Sequence, residues 1–170
     1  MFSAFKKSIP QISIFHNSSS PPSAKALAAL RSATSSPYPP GKSNARPLKF
    51  NLEVLENTPP TPDQIRTILT YLPPARSADD PSDPHHVARL ISTHPSAPSL
   101  PDRPSSAEGL SRLAQSNPHA VRWPIIVDWT NGKAVAGDSE GVKDILEHLR
   151  KRRDGEIKEE ADHKPTGWFS

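Results

Sequence analysis

Ser18, Ser19 and Ser20 stand in a row between a polar/apolar alternation over residues 11–16 and a proline-led run of helix formers over residues 21–33. A nucleophile at such a strand-to-helix junction lies at the positive end of a helix dipole, the setting that activates a thiol. The chain has no cysteine. A serine hydroxyl cannot form a disulfide, so thiol–disulfide exchange is closed to it. Two other chemistries stay open at this turn. A serine nucleophile needs a base within reach, and His16 is the nearby candidate, on a strand that sends neighbours to opposite faces. An anion could rest on the turn's backbone N–H groups. Pro21 and Pro22 remove two of those donors, which favours Ser20 as a plain helix N-cap.

Other clusters invite chemistry less strongly. His85 and His86, with Asp79, Asp80 and Asp83, have the residue types of a metal site. Adjacent histidines in a proline-rich stretch lack the spacing that makes ligands converge, so a solvated loop and no metal are expected. Arg150, Lys151, Arg152 and Arg153 could meet phosphates, but cations at a helix C-terminus also complement its dipole. The absence of cysteine further excludes a disulfide framework and cysteine-ligated zinc or iron–sulfur sites.

The elements that must position these residues read as one small domain. Only 34% of the 170 residues are hydrophobic and 6% aromatic, and 21 are proline, more than twice the usual share of roughly 5%. Apolar residues concentrate in islands at 9–33, 46–72, 106–117 and 121–150, separated by Pro-, Ser- and Asp-rich stretches. A domain over 9–153 is expected, with a flexible insertion at 73–104 and a charged tail at 154–170. The net charge of +3 is too small to imply nucleic acid as a partner, and no apolar run is long enough to span a membrane. The start, Met1 to Lys7, is basic and slightly amphipathic, as organelle import signals are. It precedes the first strand so closely that an uncleaved signal or an ordinary N-terminus are the two readings.

Residues 11–16 suit a strand, and Pro21 and Pro22 suit the start of a helix whose apolar stripe includes Leu27 and Leu30. Residues 48–54 alternate as a half-buried strand. Thr61, Pro62, Asp63 and Gln64 form a capping box, opening a helix to about Leu72 with Ile65, Ile68, Leu69 and Leu72 inward. Residues 85–93 suit a short helix. Ser105 and Glu108 suit a second capping box ahead of a helix over 107–116. Asn131-Gly132 supplies the positive φ angles of a tight hairpin between strands at 125–129 and 134–136. Asp138 or Ser139 caps a last helix over 141–152 with Val142, Ile145, Leu146 and Leu149 inward.

Three segments carry a family resemblance through their order and placement: Ile14-Phe15-His16-Asn17 with three residues more to Ser20; Leu55-Glu56-Asn57 with Pro59 or Pro60 before a helix near Pro62; and Pro124-Ile125-Ile126-Val127, then Gly137 and the terminal helix. Together they resemble the arsenate-reductase branch of the thioredoxin fold. Within it the chain is most similar to a fungal family of small mitochondrial redox proteins, where Val127-Asp128-Trp129, Asn131-Gly132, Phe2, Lys6 and Lys7 also have counterparts.

The resemblance implies a fold of mixed α/β (α+β) class, a central mixed four-stranded sheet flanked by helices with a Pro/Ser-rich insertion. It implies a mitochondrial oxidoreductase that works with glutathione or another external thiol and carries no bound cofactor. It also places Ser20 where the family has its nucleophilic cysteine. Ala24, with Lys25 beside it, matches the family's oxyanion-binding arginine. Trp123 replaces the arginine before the family's proline, with Arg122 one step earlier, and the Trp123–Pro124 bond is expected to be cis. Ser18, Ser19, Ser20, Trp123 and Pro124 are then the candidate ligand surface. Two functions follow: an oxidoreductase by kinship whose sulfur is gone, or an inactive thioredoxin-fold binding or scaffold protein that holds a small molecule, thiol or peptide.

Overall fold

A computed structural model describes residues 9–42, 44–73 and 87–157. Strand β1 (Gln11–His16) leads into helix α1 (Pro21–Ser35), β2 (Asn51–Glu56), α2 (Pro62–Tyr71), α3 (Ala107–Ser116), β3 (Ile125–Asp128), β4 (Lys133–Ala136) and α4 (Gly141–Arg153). The sheet has the order β2-β1-β3-β4. β1 pairs with β2 in parallel, from Gln11 with Asn51 to His16 with Glu56. It pairs antiparallel with β3, which pairs antiparallel with β4. The mixed four-stranded sheet expected from the sequence is present.

Alternation along the two central strands divides the core in two. Ile12 and Ile14 of β1 and Ile126 of β3 meet Leu27 and Leu30 of α1 and Ile145 and Leu146 of α4 on one face. Phe15 and the flanking Ile125 and Val127 meet Ile65 and Ile68 of α2 and Leu110 of α3 on the other. β1 is buried on both sides, so its register cannot slip without exposing one set or the other. The junction that follows it is held accordingly.

Local chemistry explains the helix starts. The Thr61 hydroxyl accepts the Gln64 N–H at 3.3 Å and the Gln64 side chain accepts the Thr61 N–H at 2.9 Å, closing the expected capping box. The second box is not formed. Ser106, not Ser105, caps α3 by accepting the Gly109 N–H, which frees the Glu108 carboxylate to pair with Arg66 of α2. At α4 the N-cap is Glu140, without a side-chain cap bond, in place of the expected Asp138 or Ser139; Asp138 instead accepts the Glu140 N–H at 2.7 Å.

Three other expectations shift. β2 starts at Asn51 instead of residue 48, because its partner β1 starts only at Gln11. Leu48 is instead buried beneath α1, where its N–H donates to the Ala33 carbonyl. The hairpin between β3 and β4 turns through four residues, 129–132. There Gly132 has a positive φ of 67° and Asn131 does not. The buried Asp128 carboxylate organises that turn, accepting the Thr130 and Asn131 N–H groups and the Asn131 side-chain amide. Within the Pro/Ser-rich stretch, a 3-10 turn, Val87–Leu90, stands in place of the expected short helix over 85–93, and another, Leu100–Asp102, follows. Val87, Leu90 and Ile91 are buried against the α2 and α3 side. Ile91 bridges to Val121, and the Ser92 N–H donates to the Ala120 carbonyl. His85, His86, Asp79, Asp80 and Asp83 lie outside the described residues, as do Phe2, Lys6, Lys7 and the tail beyond residue 157. Among the described residues no helix is long and apolar enough to cross a membrane.

Candidate functional site

The C-terminal ends of the parallel strands β1 and β2 open onto one end of the sheet, the place where ligands of open α/β sheets are held. Asn17, Ser18 and Ser19 continue from β1, and Asn57 and Pro59 from β2. The two loops are tied together because the Asn57 N–H donates to the His16 carbonyl at 2.8 Å. Asn57 takes a positive φ of 52°, a conformation asparagine tolerates better than most residues. Its side chain meets Ser18 through long bonds of 3.4 to 3.5 Å. Ala114 at the end of α3, Pro118 and His119 in the turn after it, and Trp123 before β3 close the opposite wall. The resulting groove has a volume of about 290 Å³.

Of the expected ligand surface, Ser18, Ser19 and Trp123 line this groove, whereas Ser20 and Pro124 are not part of its wall. Ser20 is the N-cap of α1 but makes no side-chain cap bond. Pro124 is buried behind Trp123 with its carbonyl accepting the Gly137 N–H, and the bond between Trp123 and Pro124 is cis, as expected. His16 does not approach Ser20. Its Nδ1 lies 2.7 Å from the buried Ser23 hydroxyl on the α1 side of the sheet. The serine-nucleophile reading therefore lacks its base.

The N–H donors of the turn from Asn17 to Ser20 are already used. The Asn17 N–H donates to Ser23 Oγ at 3.1 Å, the Ser18 N–H to Asn57 Oδ1 at 3.4 Å, the Ser19 N–H to Asn17 Oδ1 at 2.9 Å and the Ser20 N–H to the Asn17 carbonyl at 3.0 Å. Pro21 and Pro22 have none to offer. Among the described residues no lysine or arginine lines the groove. The Arg122 guanidinium turns away to the Ile91 carbonyl at 3.0 Å, and Lys25 is exposed on α1. The indole N–H of Trp123 donates to the Pro118 carbonyl at 2.6 Å, so its ring offers the groove carbon and π surface only. His119 stacks on His94, with ring centroids 4.9 Å apart, at the outer lip. The arrangement is suited to holding a neutral group between amides and flat apolar walls.

The family model described as protein of unknown function (DUF1687) matches residues 2–138. The chain belongs to the DUF1687 family. No curated protein matches this DUF1687 chain. Among solved structures it is similar to the arsenate reductase from Vibrio cholerae, with a TM-score of 0.50 and 17% identity over 82% of this chain and 98% of that one. A candidate arsenate reductase from Yersinia pestis aligns with a TM-score of 0.46 and 22% identity over 80% of this chain and 98% of that one. The likeness to the Vibrio cholerae protein, at that identity, establishes a thioredoxin-like fold for this DUF1687 member.

Asn17, Asn57, Pro59, Pro118 and His119 were not identified as groove residues from the sequence. Asn17 and Asn57 each immediately follow a strand of a parallel pair, and that placement at the carboxyl edge of a sheet is the signal that could have found them. His119 and Pro118 reach the groove through the packing of α3, which leaves no local trace.

Proposed function

We propose that this chain is a thioredoxin-fold binding protein without thiol chemistry, holding a neutral small molecule or peptide in the groove between Asn17, Asn57 and Trp123. One observation carries the reading. Every backbone N–H from Asn17 to Ser20 is engaged within the protein, and the position matched to the family nucleophile is Ser20. The groove thus has neither a sulfur nor a prepared seat for an oxyanion, while its aromatic and proline walls remain suited to ligand contact.

The alternative, an oxidoreductase of the mitochondrial redox family, is supported by the fold and by the resemblance of the motif segments. It requires an external thiol such as glutathione to do all the sulfur chemistry, with the protein contributing only orientation; no bound cofactor enters either reading. We propose a mitochondrial location on the basic start of the chain, to be tested by fractionating cells that express the full protein with a C-terminal tag. Recovery in the cytosolic fraction alone would overturn it.

The functional test is to incubate the purified protein with arsenate or a disulfide and glutathione, and in parallel to map a panel of thiols, oxyanions and peptides by amide chemical shifts. The expected result is background turnover, with saturable shifts at Ser18, Ser19 and Trp123 from a neutral ligand. Turnover that disappears when Ser20 or Trp123 is replaced would establish the enzyme reading instead.

A further inference from the structure

Asn17 is 6% exposed and lines the groove. Its Oδ1 accepts the Ser19 N–H at 2.9 Å, and that contact fixes which end of the carboxamide is oxygen, because the backbone N–H can only donate. The Nδ2 amine at the other end has no hydrogen-bond partner among the described residues. No side-chain nitrogen or oxygen sealed from the surface lacks a partner among those residues, so Nδ2 must keep an opening, and the space Asn17 borders is the groove. Nδ2 is thus a donor that no acceptor among the described residues occupies and that a ligand's acceptor can take up in place of water.

We infer that Asn17 reads the ligand, donating from Nδ2 to a neutral carbonyl oxygen of a peptide segment whose small apolar side chain lies against Trp123 and Pro118. This rests on the binding reading above and names its ligand class. The acceptor is neutral because an anion drawn into the groove would lose its hydration for one uncharged donor, with no lysine or arginine among the described residues on the wall and no spare N–H in the serine turn. A carbonyl flanked by an apolar group suits the rest. Trp123 has already spent its indole N–H on Pro118, and a volume of about 290 Å³ admits one or two residues but not a large cofactor.

The test uses the full chain with N-acetyl-L-alanine N-methylamide as probe, followed by proton–nitrogen correlation spectra, with acetate, phosphate and arsenate as separate arms. The expected result is a saturable downfield shift of the Asn17 side-chain amide protons together with movement of the Trp123 indole signal, and no such shift from the three anions. Asn17→Asp keeps the oxygen that accepts from Ser19 and removes the donor; it should weaken probe binding at least tenfold. Equal binding by that variant, or movement of Trp123 in the wild-type protein without movement of the Asn17 amide protons, would sink the role of Asn17 and leave the groove a binding site. The wild-type arm needs no variant, so poor folding of Asn17→Asp does not block the decision. A shift of these signals by arsenate or phosphate at lower concentration than the capped alanine would also overturn the inference. If neither the probe nor any member of the wider panel moves a groove signal, the binding reading falls with it.

Discussion

The Ser23 hydroxyl lies 2.7 Å from His16 Nδ1 and also accepts the Asn17 N–H at 3.1 Å. One buried hydroxyl thus ties the end of β1 to α1 and fixes the first residue of the groove. It also directs the histidine nearest the serine turn away from Ser20, so Ser20 has no base.

Replacing Ser23 with alanine leaves a buried imidazole nitrogen and a buried backbone N–H without their partner. A loss of about 1–3 kcal/mol is expected, read as a lower midpoint in urea unfolding with an unchanged slope. Wild-type stability in Ser23→Ala would show that the hydroxyl does not hold the junction.

Restoring the sulfur should not restore the reaction. In Ser20→Cys the thiol sits at the N-terminus of α1, and the dipole there should lower its pKa below the free-thiol value of about 8.5, measurable from the pH profile of iodoacetamide alkylation. Arsenate turnover with glutathione is nevertheless expected to remain at background, because the loop N–H groups stay engaged. Turnover clearly above background would mean that the loop opens to accept an oxyanion.

Much of the scaffold was legible because its determinants are local. Thr61 and Gln64 satisfy each other within one turn, and the alternation over residues 11–16 marks a strand, although its burial on both faces is seen only in the structure. Legibility failed where a distant group chose between adjacent options. Ser105 and Ser106 are equivalent as local signals, and Ser106 is the cap that leaves Glu108 to meet Arg66. Asn131-Gly132 marked the hairpin with positive φ expected at both residues, and the buried Asp128 carboxylate holds a turn one residue earlier, 129–132 in place of 130–133, in which only Gly132 takes that conformation. The groove was half legible for the same reason: the serine turn and Trp123 stand out in sequence, while Asn57 and His119 arrive by strand pairing and helix packing.

His148 in α4 has its pKa held below the usual imidazole value, first by burial and then by the positive charges of Lys133 and Arg152, with Asp128 opposing. The unfolded chain therefore takes up this proton first as the pH falls. Its contribution to stability is complete above about pH 6.5 and is lost between there and the lower folded value. Comparing urea midpoints at pH 7.5 and 5 should show a smaller drop in His148→Gln than in the wild-type protein. An equal drop would assign that pH dependence to other groups.

Arg150, with only 14% of its side chain exposed, meets Glu147 at 2.6 Å and Asp154 and Glu156 at 3.0 Å. Its hydrogen bonds are the main cause holding Glu147 and Glu156 below the ordinary carboxylate range, and Asp154 is held there first by Arg153 and then by Arg150. Depressed carboxylates stabilise the fold above their unfolded pKa values and lose that effect as the pH falls through the folded ones. Between about pH 5 and pH 3 the unfolding midpoint of Arg150→Met should therefore fall less than that of the wild-type protein. A steeper acid loss in the variant would contradict this network.

Among the described residues the groove framed by Asn17 and Trp123 contains no sulfur, and the sequence has no cysteine. Peroxide that drives a thiol through sulfenic to sulfinic acid finds no such target at this surface. Recognition at this groove, as proposed above, would be indifferent to thiol oxidation, a constancy that a cysteine-bearing copy of the same sheet does not have.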